Sequence, residues 1–391
     1  MGISPTRVVD TRPNSGEPYV GETLGACSVL DVQVIGVKNI PFSEISSVVL
    51  NMTAVAPSAS GYLTVYPAGT IRPVASNLNF RAKETVANLV EVPVSPSGQV
   101  AIYNGSDGNT NVVVDVEGYV TSSSGHLYNP ISPLRICDTR SGNPSNLGGK
   151  EAQCSGKTLT PNTPLQIQVG GLGSIPLTAS AVVINLTAVM PVSGGYLTAY
   201  PAGSTIPLAS NVNFSANRSV PNSAIVALSS SGTIDIVSDT TTNAIVDVEG
   251  YFSSSGSSYT PISPVRIADT RCSTKPMPTF CASENLPSIN STLGTLTSKS
   301  NEMLSVAGVG SIPSGIKAVV LNVTVAGTTA GSYLTAYPAG TILPTASNLN
   351  WLAGETVPNL VTVEVGSNGG VNLYNDSGST NVIVDVEGYY G

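Results

Sequence analysis

The sequence has a single histidine, His126, among its 391 residues, and only 10% of the residues are Asp, Glu, Lys or Arg. The shortage of histidine excludes Ser-His-Asp and Cys-His catalysis from most of the chain, because both mechanisms need a histidine beside the nucleophile. The formal net charge of −8 argues against nucleic-acid or anionic-lipid partners, which need clustered Lys and Arg. No apolar run is long enough to predict a transmembrane helix.

Common cofactor and metal motifs are absent from the sequence as well. There is no phosphate-binding loop with its lysine, and no glycine fingerprint between a strand and a helix. The lack of a Cys-x-x-Cys pair argues against zinc. Turns such as 105–111 could supply some calcium ligands, but tight turns favour the same residues for backbone reasons. We therefore expect no cofactor and no metal.

One pattern is repeated three times along the chain. An Arg-x-x-Asp-Thr-Arg motif begins at Arg7, Arg135 and Arg266, and each copy closes with Val-Asp-Val-Glu-Gly-Tyr. A period of about 130 residues is much longer than a solenoid repeat and has the size of an independent domain. We predict domains at residues 1–122, 129–253 and 260–391, with Ser/Gly linkers between them.

The local pattern within each copy is typical of β-structure. Short runs rich in Val, Ile, Thr and Tyr, such as 48–55 and 61–66, lie between Gly, Pro, Asn and Ser residues. No segment combines helical periodicity with caps at both ends. About eight strands in each copy favour a sandwich over a closed barrel. We predict an all-β protein of three tandem antiparallel β-sandwich (jelly-roll-like) domains.

Arginines and carboxylates recur together at the two ends of each copy. The two acids of the closing motif share one face of a strand, as the catalytic acids of a glycoside hydrolase could. We favour structural ion pairs, because the arginines recur wherever the acids do and three equal copies give no reason for one active site. The predicted ion-pair residues are Arg7, Arg12, Asp115, Glu117, Arg135, Arg140, Asp247, Glu249, Arg266, Arg271, Asp385 and Glu387.

Asparagines and tyrosines also recur at matching positions. An asparagine in a strand needs partners for its amide, and these could be loop backbone or the hydroxyls of a sugar. A tyrosine nearby could stack on a sugar ring, although an aromatic residue in a strand more often belongs to a core. The candidate glycan-binding residues are Asn77, Asn79, Tyr66, Asn211, Asn213, Tyr200, Asn348, Asn350 and Tyr337.

Four of the five cysteines form two pairs that are close in sequence. We predict the disulfides Cys137–Cys154 and Cys272–Cys281, because each would order a loop with few apolar residues. Cys27 occupies the corresponding loop of the first copy without a partner, and the insert 272–302 of the third copy stays unassigned. We expect a protein outside the cell, with its export signal already removed.

Four phrases carry a family resemblance: Val-Val-Leu-Asn-Met-Thr-Ala-Val, Gly-Tyr-Leu-Thr-Val-Tyr-Pro-Ala-Gly, Ala-Ser-Asn-Leu-Asn-Phe and Val-Val-Val-Asp-Val-Glu-Gly-Tyr. They resemble a tandem β-rich repeat module of uncharacterised function in exported proteins of actinobacteria and neighbouring phyla, often appended to cell-wall hydrolases. The second copy is closest to that pattern, and the first departs from it by lacking the earlier cysteine. The resemblance implies export and a non-catalytic role, and it transfers no catalytic residues.

These observations predict a non-catalytic extracellular or cell-surface protein that recognises glycan by weak, multivalent contacts. The alternative is a purely structural stalk, fibre or virion-surface component. A third hypothesis is a glycoside hydrolase that uses the Asp/Glu pairs. The expected partners are a cell-surface or matrix glycan, or protein neighbours in an assembly, with no direct membrane insertion.

Overall fold

The computed structural model describes residues 1–42, 44–121, 125–273, 278–279, 281 and 286–391, which form mainly β-strands. The first copy contains β1 (Gly2–Asp10), β2 (Val29–Gln33), β3 (Ile45–Val55), β4 (Gly61–Pro67), β5 (Leu78–Phe80), β6 (Val86–Pro93), β7 (Gln99–Asn104) and β8 (Asn111–Thr121). The second contains β9 (Leu127–Asp138), β10 (Leu165–Gln168), β11 (Ala181–Val189), β12 (Gly195–Pro201), β13 (Val212–Phe214), β14 (Val220–Ala227), β15 (Thr233–Ser238) and β16 (Asn243–Ser253). The third contains β17 (Tyr259–Asp269), β18 (Asn301–Ser305), β19 (Ala318–Ala326), β20 (Ser332–Pro338), β21 (Leu349–Trp351), β22 (Val357–Glu364), β23 (Gly370–Asn375) and β24 (Asn381–Tyr390).

Helical structure is confined to short 3₁₀ segments in the described part of the chain. They include Gly149–Cys154, Thr270–Ser273 and Ser288–Asn290. None of the helices among the described residues has the length and apolar character needed to cross a membrane.

Each copy forms two four-stranded antiparallel sheets, and the chain crosses repeatedly between them. We call the sheet that contains the first strand of a copy its long blade, and the other sheet its short blade. The long blades have the strand orders β1-β8-β3-β6, β9-β16-β11-β14 and β17-β24-β19-β22. The short blades have the orders β2-β7-β4-β5, β10-β15-β12-β13 and β18-β23-β20-β21. The three copies therefore share one strand arrangement.

The prediction of three tandem antiparallel β-sandwich (jelly-roll-like) domains is wrong, although the fold is all-β. The six sheets stand around one axis as the blades of a six-bladed β-propeller. The two blades of a copy enclose an apolar core. The short blade of each copy also donates a hydrogen bond to the long blade of another copy. The first copy donates to the third, the third to the second, and the second to the first. These contacts close the ring.

The strands of the long blades have the composition expected of a sheet that is covered on both faces. A sheet with one face in water shows alternate burial along its strands, because successive side chains point to opposite faces. Strands β11 and β19 are instead buried at every residue, and β3 is buried over its central eight residues. Apolar runs without alternation are typical of sheets covered on both sides. The sequence of these strands therefore suits a blade that lies between two others.

A fourth apolar cluster lies where the three copies meet. Strands β6, β14 and β22, one from each copy, contact one another there. The cluster combines Val49, Leu89, Tyr128, Ala181, Val183, Ile225, Phe252, Ala318, Val320, Leu360 and Tyr390. Burial of one large apolar side chain stabilises a fold by about 1.5–3 kcal/mol relative to exposure. A copy on its own would expose its share of this surface.

The glycine of the closing motif permits one of the close contacts in this cluster. A Cβ atom on Gly250 would lie 2.2 Å from the hydroxyl of Tyr128, and one on Gly388 would lie 2.1 Å from that of Tyr259. The Tyr128 hydroxyl donates a hydrogen bond to the carbonyl oxygen of Glu249 at 3.0 Å. Any other residue at these two positions would displace an aromatic ring.

The predicted linkers and the insert of the third copy are partly visible. Residues 122–124 of the first linker lie outside the described residues. In the second linker, Ser257 exchanges backbone hydrogen bonds with Tyr128 at 2.8 and 3.0 Å, so the segment is attached to the first strand of the second copy. Parts of the insert, 274–277, 280 and 282–285, are also outside the description. Its residue Asn290 donates to the carbonyl of Ser305 at 2.9 Å and so holds the insert against β18.

Candidate functional site

The recurring polar residues meet in a buried layer between the copies, which we call the junction ring. At each junction an asparagine amide donates a hydrogen bond to a glutamate carboxylate of another copy. The pairs are Asn77 with Glu387, Asn211 with Glu117 and Asn348 with Glu249. The first and last of these span 2.6 Å. The recurring asparagines and glutamates are therefore partners across the junctions.

Each glutamate of the junction ring also accepts a backbone hydrogen bond. The second carboxylate oxygen of Glu117 accepts from the N–H of Ile225 at 3.0 Å, and that of Glu249 accepts from Thr362 at 3.3 Å. Glu387 accepts from the N–H of Glu91 at 3.3 Å. Both oxygens of each carboxylate thus bind the neighbouring copy.

Burial dominates the electrostatics of these glutamates. It raises the pKa of Glu117, Glu249 and Glu387 to about 8, while the backbone and asparagine hydrogen bonds act in the opposite direction. A raised carboxyl pKa is a property of general acids. These carboxyls are nevertheless enclosed between blades, where the space around them is filled by protein. Their position makes them structural contacts between copies.

Three further asparagines extend the junction ring to the axis. Asn88, Asn222 and Asn359 each lie on the axial strand of a long blade. Their amides donate to Asn322 at 3.0 Å, Asn51 at 2.8 Å and Asn185 at 3.0 Å, respectively. Their carbonyl oxygens accept from the N–H groups of Leu360 at 3.0 Å, Leu89 at 3.1 Å and Ser223 at 3.2 Å. A polar network with its members paired in this way favours one arrangement of the copies.

The structure separates the predicted ion pairs into two sets. Arg7 binds Asp115 in a bidentate pair, with Nε to Oδ1 at 2.8 Å and Nη2 to Oδ2 at 3.0 Å. Arg12 instead binds Asp10 of its own motif, at 2.6 Å. The same contacts recur as Arg135 with Asp247, Arg140 with Asp138, Arg266 with Asp385 and Arg271 with Asp269. The aspartate inside the Arg-x-x-Asp-Thr-Arg motif was the signal that sequence reasoning missed.

The candidate glycan-binding residues do not gather on one open face. Asn77, Asn211 and Asn348 are buried in the junction ring, and Tyr66, Tyr200 and Tyr337 are also buried. Asn79, Asn213 and Asn350 are half-buried and lie opposite Tyr62, Tyr196 and Tyr333 in the strand register. The predicted residues therefore form no single exposed face, and their role in glycan binding stays a prediction.

A charged cluster joins all three copies at corresponding positions. Arg218 of the second copy places Nη1 2.7 Å from Oε1 of Glu84 in the first copy. Its Nη2 lies 2.7 Å from Oε1 of Glu355 in the third copy. The sequence offered a signal for this contact, because arginine stands in one copy where the other two have glutamate.

The disulfide predictions are confirmed. Cys137 is bonded to Cys154 and Cys272 to Cys281, while Cys27 is free and exposed. Within the described ranges, no group of three or more His, Cys, Asp or Glu side chains is placed to hold a metal ion.

Comparisons with known proteins give little further identification. No protein-family model and no curated protein matches the sequence. The structure overlaps with a chain from the triple jelly roll fold and turret assembly of an archaeal virus, at 10% identity over 94% of this chain and 84% of that chain, with a TM-score of 0.19. It overlaps with a chain from the atomic structure of Sulfolobus turreted icosahedral virus at 10% identity, over 94% and 85% of the two chains, with a TM-score of 0.20. Similarity this low assigns no function.

Proposed function

We propose that the protein is a structural component of an extracellular or surface assembly, such as a stalk, a fibre or the surface of a virion. The observation that supports this proposal is the junction ring, for example the contact of Asn348 with Glu249. Three of the residues whose repetition suggested a binding face, Asn77, Asn211 and Asn348, form hydrogen bonds across the junctions between copies. These repeated contacts stabilise the shape of the molecule, and a stable shape is what a structural component of an assembly needs.

Exposed apolar side chains support contact with protein neighbours. The loops 68–76, 202–210 and 339–347 follow equivalent strands of the three short blades. Each loop displays an apolar residue to solvent: Ile71 is 95% exposed, Leu208 70% and Ile342 90%. Single exposed apolar residues are common on protein surfaces. Their occurrence in the same loop of every copy is better explained by contact with a neighbouring protein.

The surface charge and the disulfides support the same setting. Few charged residues leave the protein with little electrostatic attraction for nucleic acid or anionic lipid. Disulfides persist mainly in oxidising surroundings, and the protein has two, Cys137–Cys154 and Cys272–Cys281. Both features suit a protein that meets its neighbours outside the cytoplasm.

Sedimentation of the purified full chain over a wide concentration range tests this function. We expect concentration-dependent association that is lost in the variant Ile71→Ser/Leu208→Ser/Ile342→Ser, with melting temperature unchanged. The control variant has serine in place of Leu177, Val192 and Ile289, which are similarly exposed but lie outside these loops. It should associate as the wild type does. A protein that stays monomeric throughout and binds a sugar saturably on a glycan array would contradict the proposal.

A further inference from the structure

A cavity of about 290 Å³ lies beside the fourth apolar cluster, where the three copies meet. Its walls combine five tyrosine or phenylalanine residues with one carboxylate: Tyr119, Tyr128, Phe252, Tyr259, Tyr390 and Glu91. The size is close to the lower end of small-molecule pockets, which run from about 300 to 1,000 Å³. The cavity adjoins the junction ring, because the N–H of its residue Glu91 donates to Glu387, and it takes residues from all three copies.

The aromatic side chains form a continuous wall. The ring centroids of Tyr128 and Tyr390 are 4.3 Å apart, those of Tyr259 and Tyr390 5.0 Å, and those of Tyr128 and Phe252 5.2 Å. The hydroxyls of Tyr128 and Tyr259 donate to backbone carbonyl oxygens. The polar ends of these two tyrosines therefore already have hydrogen-bond partners within the protein.

Glu91 breaks the threefold repetition of the chain. The corresponding residues of the other copies are Ile225 and Thr362, so only the first copy places an acid here. The side chain of Glu91 is 3% exposed, and its buried Oε1 atom has no hydrogen-bond partner among the described residues. A buried polar atom without a partner costs about 1–3 kcal/mol by mutational measures. The fold does not require an acid at this position, since two copies lack one.

We propose that this cavity binds a compact organic cation, with Glu91 as its counter-ion and the aromatic wall as its cage. Aromatic rings attract ammonium groups through their quadrupole, and they do so more strongly when water is excluded. The carboxylate supplies the opposite charge on the same cavity wall. The aromatic rings and the carboxylate together recognise a methylated or primary ammonium group. A neutral molecule of equal size would gain no electrostatic attraction from Glu91. This site does not depend on the proposed structural role.

The pH dependence of binding follows from the charged groups around Glu91. Burial and the neighbouring carboxylate of Glu387 raise the pKa of Glu91 to about 8, and the ammonium group of Met1 acts in the opposite direction. His126 also lines the cavity. A cation binds the ionised form of Glu91 better, so its affinity should rise as the pH increases from 6 towards 9.

Calorimetric titration of the full chain with tetramethylammonium chloride tests the site, with neopentyl alcohol as the neutral molecule of similar shape. We expect saturable binding of the cation alone, weakened about tenfold or more by Glu91→Gln and by Glu91→Ile, which copies the residue of the second copy. Glu22→Gln, at an exposed position, is the matched control and should bind as the wild type does.

Thermal melts give a second measurement on the same proteins. Tetramethylammonium should raise the melting temperature of the wild type and of Glu22→Gln, because it binds only the folded state, and should leave both Glu91 variants unchanged. No cation binding, equal binding by the Glu91→Gln variant, or equal binding of the neutral alcohol would each overturn the proposal.

Discussion

The amide of Asn77 donates a hydrogen bond to the carboxylate of Glu387 at 2.6 Å, across a sequence separation of 310 residues. This contact joins the first copy to the last and completes the ring of blades. We predict that Asn77→Ala lowers the free energy of unfolding by about 1–3 kcal/mol, because it leaves a buried carboxyl oxygen without its hydrogen-bond donor. Denaturant unfolding followed by circular dichroism measures the change.

Asn79 provides the control for this prediction, because it lies two residues away and its Oδ1 atom has no partner in the described part of the chain. Asn79→Ala should change the free energy of unfolding by less than about 0.5 kcal/mol. Equal effects of the two substitutions would show that the contact between Asn77 and Glu387 does not hold the ring.

The side chain of Arg218 binds glutamates of both other copies. Arg218→Ala should cost about 1–3 kcal/mol, because the mostly buried carboxylate of Glu355 would lose its close partner. The loss should shrink in high salt, where exposed charges are screened. Lys299→Ala removes an exposed pair with Asp376 and should cost less than Arg218→Ala, because water screens exposed ion pairs. A cost for Arg218→Ala no larger than that for Lys299→Ala would contradict this role.

The stability of the protein should fall as the pH rises from about 4.5 to about 8. Glu117, Glu249, Glu387 and Glu91 have a pKa of about 8 in the folded protein against 4.5 as the ordinary value. In this window the folded state holds protons that the unfolded chain has lost, so each increase in pH favours unfolding. Melting temperatures at pH 5, 6.5 and 8 and constant ionic strength should therefore decrease by several degrees.

A triple variant tests which groups cause this slope. Replacing Glu117, Glu249 and Glu387 by glutamine should lower the melting temperature overall, since an amide nitrogen cannot accept a hydrogen bond. It should also flatten the decrease between pH 5 and pH 8, because glutamine does not titrate. A slope as steep as that of the wild type would show that these carboxyls do not titrate in the folded protein.

The disulfide between Cys137 and Cys154 should contribute measurably to stability. Its cysteines are separated by 17 residues, and closing a loop of this size stabilises a protein by about 2–4 kcal/mol. Cys137→Ser should lower the free energy of unfolding by that amount. The exposed Cys27 is unpaired, and Cys27→Ser should have no effect. Equal stability of the two variants would contradict the prediction.

Local structure was predictable from the sequence to a large extent. The runs of Val, Ile, Thr and Tyr became strands, and the paired cysteines became disulfides, because both depend on residues close together in the chain. The arrangement of the sheets was not predictable from strand patterns alone. The largely apolar sequence of β11, which does not alternate with polar residues, was the available sign that both of its faces are covered.

The partners of the recurring asparagines were beyond the reach of sequence spacing. Asn348 contacts Glu249 across 99 residues, and Asn77 contacts Glu387 across 310. The asparagine in one copy and the glutamate in another are each repeated three times, so their positions alone do not show which pairs meet. The same repeated residues would be expected both in a free sugar-binding face and in a closed ring of copies.

Differential scanning calorimetry of the full chain tests the shared axial core most directly. If Val49, Val183 and Val320 belong to one core, the three copies should unfold together in a single transition, with calorimetric and van't Hoff enthalpies that agree. Three separate transitions, or a calorimetric enthalpy about three times the van't Hoff value, would show that the copies fold independently and would contradict the closed ring.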